Sequence, residues 1–250
     1  MAEISGADFN GLRSRKVSEL LAKRIVDQIL QDHLPEGTSL PTERAMMEQH
    51  GVGRSTVREA LRLLETRGVI SIRQGINGGP VVRWPRAGDL SESLSLILSF
   101  SQTSLADLLA ARLVMEPVLA GLAARHVTPA DIEELHASNV RMEANLQDQT
   151  IFRAENAHFH TTVARIGRNP VLLAFIESVK GLSDGMTAGV AYSDRRRLAV
   201  ARAHVKIVEA LKSGGEPEAQ AAMRDHLEEA GRYWRKRYGP LYESAVNWRV

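Results

Sequence analysis

A chain of 250 residues with 32 basic and 30 acidic side chains and no cysteine excludes a uniformly cationic protein, a disulfide framework and a thiolate metal site. The length suits two domains of roughly 100 to 200 residues each. Acidic residues interrupt the N-terminus, and no run approaches the roughly 18 uninterrupted apolar residues of a membrane span, so a cytoplasmic protein is expected.

Residues 1–15, rich in Gly, Ser, Asp and Asn, read as a flexible arm. The segment after it places Val17, Leu20, Leu21, Ile25, Ile29 and Leu30 on one stripe of a helix that ends before Pro35-Glu36-Gly37. A second helix, a tight turn and a third helix follow. In the third, Val57, Leu61 and Leu64 recur at helical spacing, while Arg54, Arg58 and Arg62 line another face that suits a phosphate-lined groove. Strands at 69–73 and 80–84 flank the loop 74–79, and residues 85–88 read as a linker. Between Arg54 and Arg86 seven arginines face two glutamates, a local excess on a chain whose formal net charge is +2. Such asymmetry points to one nucleic-acid face. Residues 16–84 therefore predict a winged helix-turn-helix of three helices plus a small β-hairpin wing.

From residue 89 onward the pattern is helical, with start signals at Ser104/Asp107, Thr128-Pro129/Asp131, Asn169-Pro170 and Glu216-Pro217. The segmentation is 89–100, 104–126, 129–147, 151–167, 170–190, 194–213 and 217–236, an antiparallel bundle of about seven helices. The protein is thus expected to be mostly α. The basic, aromatic stretch 233–238 reads as a packed helix terminus whose charged tips reach water.

Histidine phase is the informative feature of this half. Asn156 and His160 share an apolar face with Phe152, Phe159, Val163 and Ile166; His204 lies with Val200, Ile207 and Leu211; His226 lies with Ala219, Met223 and Ala230. Three inward histidines from three helices each leave a ring nitrogen in need of a partner, which a divalent metal would satisfy at once. A metal-free polar pocket is the alternative. His158 falls roughly 200° around the helix from His160 and is expected at the surface, as are His33, His50 and His126.

Leu40-Pro41-Thr42-Glu43-Arg44, the run Val52 to Leu61, and Gln74-Gly75 with Gly78-Gly79 closely resemble the signature of the GntR family of bacterial transcription regulators. Gly53 departs from the family's usual Ser or Thr. The helical half resembles the effector domain of the FadR subfamily, the FCD fold, through Arg112 to Glu116, Phe159-His160, Gly167 to Pro170, His204 and Met223 to His226. The resemblance implies that Arg44, Arg54 and Arg58 contact an operator, with Arg54 suited to a guanine edge, Ser55 and Thr56 donating to phosphates and Gln74 and Gly75 approaching the minor groove. It further implies dimers on inverted repeats, with residues 89–250 serving effector binding and dimerisation. In metal-binding members an Asp and three His are the ligands; here the set is Asn156, His160, His204 and His226, with zinc or nickel best suited to imidazole. Asparagine brings an oxygen but no charge, so a bound ion would keep its full charge and favour an anionic ligand. Arg112 either closes an ion pair with Glu116 or, as its family position suggests, grips the carboxylate of a small organic acid; both readings stand.

The reading is a DNA-binding repressor controlled by a small carboxylate, not an enzyme. Two alternatives remain open. Glu133-x-x-His136 and Glu155-x-x-His158 match the repeated unit of di-metal carboxylate bundle enzymes, although their helical phase turns them away from His160. An architectural DNA binder without an effector would leave the inward histidines and Arg112 unexplained.

Overall fold

The computed structural model describes residues 8–75, 78–183 and 191–245. The chain forms two compact units that divide between Asp89 and Leu90.

The first unit contains α1 (Asp8–Gln31), α2 (Glu43–His50), α3 (Arg54–Thr66) and an antiparallel pair, β1 (Ile70–Arg73) and β2 (Gly79–Val82). Helix α1 begins inside the segment expected to be an arm, and residues 1–7 lie outside the described residues. Its inward stripe is Ser18, Leu21, Ala22, Ile25 and Ile29, whereas Val17, Leu20 and Leu30 are exposed. The expected stripe was too broad because a core face covers a limited arc of the helix, and positions 17, 20 and 30 fall outside it. Val57, Leu61 and Leu64 are buried as expected, packed with Met46, Ile70 and Val82. The turn between α2 and α3 depends on Gly51, which closes α2 in the left-handed region at φ +63° with its N–H donating to Met47 O at 3.0 Å. Thr42 caps α2, its hydroxyl accepting from Ala45 N–H at 3.3 Å.

Seven helices follow: α4 (Ala87–Phe100), α5 (Leu105–Ala124), α6 (Pro129–Ala144), α7 (Gln149–Ile166), α8 (Pro170–Ser183), α9 (Asp194–Lys212) and α10 (Glu216–Glu243). The segment 85–88 is only partly a linker, because α4 starts at Ala87. The Asp89 carboxylate accepts from Arg86 N–H at 2.7 Å and from Arg83 at 2.8 Å. Ser104 and Thr128 close full capping boxes with Asp107 and Asp131. At the start of α10 the cap is Gly215, and Glu216 is already helical. Helix α10 also outruns its predicted end, continuing through a kink at Tyr238 (φ −132°, ψ 33°) two residues before Pro240, whose ring and missing N–H disturb the preceding turn. The predicted tail of α8, residues 184–190, lies outside the described residues.

The core of the second unit gathers Leu105, Leu108 and Leu109 of α5, Phe159 and Val163 of α7, Ile207 and Leu211 of α9, and Met223, Leu227 and Trp234 of α10. Gly231 lets α5 and α10 approach closely: a Cβ there would lie 2.5 Å from Leu109 Cδ2. Four of these helices supply the polar groups of the cavity described below. Among the described residues no helix is long and apolar enough to cross a membrane.

The capping boxes generate two expectations. Thr128→Ala should lower stability by about 1 kcal/mol in chemical denaturation, since it strips an N-cap of its acceptor. The Thr128 hydroxyl, more than opposing burial, holds the Asp131 carboxyl below its ordinary value. A carboxyl more acidic in the folded than in the unfolded chain stabilises the fold at higher pH and loses that contribution as pH falls. Asp131→Asn should therefore be less stable than the parent at neutral pH, the difference closing as pH falls below the ordinary carboxyl range.

Candidate functional site

In the first unit the helix-turn-helix presents Arg44, Arg54 and Arg58, with side chains 89, 74 and 58 % exposed. Glu43 of α2 faces Arg54 and Arg58 of α3, lying 3.5 Å from Arg54 Nε and 4.0 Å from Arg58 Nε, while Arg44 pairs with Glu48 at 3.1 Å. Exposed pairs of this kind contribute little and exchange readily for phosphate or base contacts. Ser55, Gln74 and Gly75 are also exposed. Thr56 is not: only 9 % exposed, it turns toward the core beside Val57, so its expected phosphate contact does not match its orientation. Helix periodicity puts consecutive residues about 100° apart, which separates Ser55 from Thr56. Gly53 caps α3 without a side-chain bond, and a Cβ there would meet nothing within 4 Å.

In the second unit the three inward histidines do come together. His160 of α7, His204 of α9 and His226 of α10 are all buried, and their candidate ligand nitrogens lie within 4.8 Å of one another. His160 Nε2 and His226 Nε2 are 3.2 Å apart. The other nitrogen of His160 bonds to Glu116 Oε2 of α5, and Arg112 Nε donates to Glu116 Oε1. The carboxylate thus accepts a hydrogen bond from His160 Nδ1–H, the tautomer that leaves Nε2 with its lone pair toward the other rings, an arrangement common behind metal-bound histidine. Of the two sequence readings of Arg112, the ion pair with Glu116 is formed, and Arg112 also lines a small cavity together with Asn156, His160 and His226.

Electrostatics set the protonation states. Burial opposes the charge on Glu116, but Arg112 and His160 outweigh it and hold the carboxyl below the usual range. Burial pushes His204 and His226 well below the ordinary imidazole value, reinforced by their neighbours and Arg112. Both are neutral rings with lone pairs. His204 stacks on Phe159 with centroids 3.8 Å apart, and neither of its nitrogens has a partner; His226 Nδ1 also lacks one. Buried polar atoms without partners are uncommon and costly, so this donor set fits a divalent cation. Asn156, half-buried in the cavity wall, could add an uncharged oxygen.

Other histidines stay apart. His158 is half-exposed and lies 3.4 Å from Glu134, and His33 is exposed while His50 and His126 are partly so. Glu133 and His136 are exposed, and Glu155 is engaged by Arg141 at 2.6 Å and Ser138 at 2.8 Å. The two Glu-x-x-His pairs therefore do not join the buried cluster. Sequence reasoning missed Arg196 of α9, which is buried in the wall of the same cavity. Its signal was present: Arg196, Val200 and His204 stand at i, i+4 and i+8 on one stripe. The aromatic wall of Phe152, Tyr192 and Trp234 was legible only in part, because Tyr192 precedes its helix.

Residues 18–77 match the family described as bacterial regulatory proteins, gntR family, and residues 107–229 match the FCD domain. The chain is 30 % identical over 225 residues to an Escherichia coli (strain K12) protein named as an L-lactate dehydrogenase operon regulatory protein, covering 85 % of this chain and 84 % of the relative. It is 28 % identical over 230 residues to the HTH-type transcriptional repressor NanR of Enterobacter sp. (strain 638), covering 89 and 87 %. Among solved structures, Streptococcus agalactiae GntR superposes with a TM-score of 0.69 at 26 % identity, covering 86 % of this chain and 99 % of that one.

Glu116→Gln would leave the buried Arg112 guanidinium without its counter-charge. Its expected cost is about 3 kcal/mol in denaturant unfolding, well beyond the effect of an exposed change such as Glu133→Gln.

Proposed function

The chain belongs to the GntR family of bacterial regulatory proteins and carries an FCD domain, and on that footing we propose that it is a repressor whose hold on its operator is controlled by a small carboxylate bound in the histidine-lined cavity. DNA-binding transcription regulation, rather than catalysis, is the activity of the family and of the relatives above. The finer assignment rests on one observation: a polar cavity lined by Arg112, His160 and His226, beside a buried His204, in which nitrogens of His204 and His226 are left without partners. An acid entering it would exchange those orphaned groups for charge-assisted bonds. The name of the Escherichia coli relative makes L-lactate a sensible first acid to test.

His160, His204 and His226, with the Asn156 carbonyl, would hold a zinc or nickel ion, and Glu116 would keep His160 in the required tautomer. The metal would supply positive charge that these neutral ligands leave uncompensated, drawing in the acid's carboxylate. Arg112 would orient that carboxylate. Asn156→Asp should tighten zinc binding in a competitive chelator titration, by adding a negative ligand.

On the reader, Arg44, Arg54, Ser55, Arg58, Gln74 and Gly75 are the proposed DNA contacts; Thr56 is left out because it is buried. A single recognition helix reads one half-site, so the working form would be a homodimer in the cytoplasm on an inverted repeat. A second copy also suits the outer faces of α5 and α8. Ala110, Ala111, Val114 and Val118 on one, with Pro170, Val171, Ala174 and Phe175 on the other, are exposed and without charge, and α5 and α8 pack through Leu119 and Ile176.

Arg54→Ala should weaken operator binding by about 1 to 3 kcal/mol in fluorescence anisotropy with a native promoter fragment; unchanged affinity would remove Arg54 from the contact set. A carboxylate effector at 100 times its dissociation constant should add about 2.7 kcal/mol of stability. A thermal screen of small organic acids, with and without chelator, checks this, and the absence of any stabilising acid counts against effector control.

A further inference from the structure

The cavity holds a second buried cation that the proposed function does not use. Arg196, 7 % exposed, lines its wall with Asn156, Tyr192 and Trp234. One guanidinium nitrogen, Nη1, donates to Glu229, and the plane lies over the Tyr233 ring with its carbon 5.0 Å from the centroid. Its Nε, also buried, has no partner. Glu229 stands half-exposed at the rim, so Arg196 is only partly neutralised, unlike Arg112, whose Glu116 is buried beside it. A guanidinium offers five N–H donors in a fixed plane, and a buried donor without an acceptor is costly. Salt-bridge stapling of α9 to α10 accounts for Nη1 but not for Nε.

We infer that Arg196 forms a second ligand subsite, so that the effector is a small acid whose far end also carries oxygen, a hydroxyl or a second carboxylate, rather than an acid with an alkyl tail. One end meets Arg112 and the histidines, and the other meets Arg196. This rests on the proposed effector role of the cavity and adds a requirement on the ligand. Phe152, Tyr192 and Trp234 give the same wall an aromatic lining, and Asn156 adds a further polar group to it.

Three four-carbon probes separate the possibilities: succinate, 4-hydroxybutyrate and butyrate, titrated calorimetrically into the full-length protein with zinc present and, separately, with chelator. Succinate and 4-hydroxybutyrate should bind at least about tenfold tighter than butyrate. Arg196→Gln should abolish that preference, whereas Glu229→Gln, which breaks the same ion pair but leaves the cation, should retain it for succinate. If Arg196 were merely a staple, the two substitutions would lower the melting temperature alike and leave the preference untouched, which would overturn the inference. Should Arg196→Gln not fold, Arg196→Lys is informative instead: one ammonium cannot serve Glu229 and a ligand as a planar fork does, so the preference should shrink severalfold, and an unchanged preference also overturns the subsite. Butyrate binding as tightly as succinate would defeat the subsite while leaving effector control intact; failure of every acid, L-lactate included, would remove both.

Discussion

The buried carboxylate of Glu116 is the constraint around which the helical unit is organised. A charge almost wholly removed from water is tolerable only if strongly compensated, and Glu116 is compensated on both oxygens, by Arg112 one turn earlier on α5 and by His160 on α7. The same contact orients an imidazole. Because His160 Nδ1–H donates a hydrogen bond to Glu116, its Nε2 faces His226 and the space they share with His204. The buried ion pair and the orientation of the His160 ring are thus one feature.

What surrounds that pair is unusually short of partners. Burial keeps His204 and His226 neutral, and three of their nitrogens make no hydrogen bond. An interior that stays folded with such groups unpaired gains free energy when a cation or an acid satisfies them, and any ligand that binds only the folded form adds stability in proportion to its concentration. Coupling to DNA, where it exists, is reciprocal: an acid that weakens operator binding by some factor is itself bound more weakly on the operator by the same factor.

The DNA-reading surface follows a different logic. Its arginines are exposed and paired loosely with Glu43 and Glu48. Such pairs contribute little and are screened by salt, so the reader is held together by the apolar set of α1, α2, α3 and the strands, and its charges are left free to exchange partners. Rigidity comes from Val57, Leu61 and Leu64, which are buried on one side of the helix that carries Arg54 and Arg58 on another.

Local chemistry was legible from the sequence alone: the wing and its glycines, the capping residues of α5 and α6, the apolar phase of α3, and the inward direction of His160, His204 and His226 all follow from periodicities that a single segment carries. Resemblance to a known family supplied the rest of the functional outline. Tertiary packing alone decided the remainder. It buried Thr56, left Val17, Leu20 and Leu30 outside the core, gave Glu116 a second partner in His160 beyond the Arg112 pair its helical spacing suggested, and brought Arg196 into the cavity wall. The reason is that a one-dimensional pattern states which way a side chain points along its own helix, while the partner it meets, and therefore its charge state, burial and use, depends on which other helix the fold places opposite.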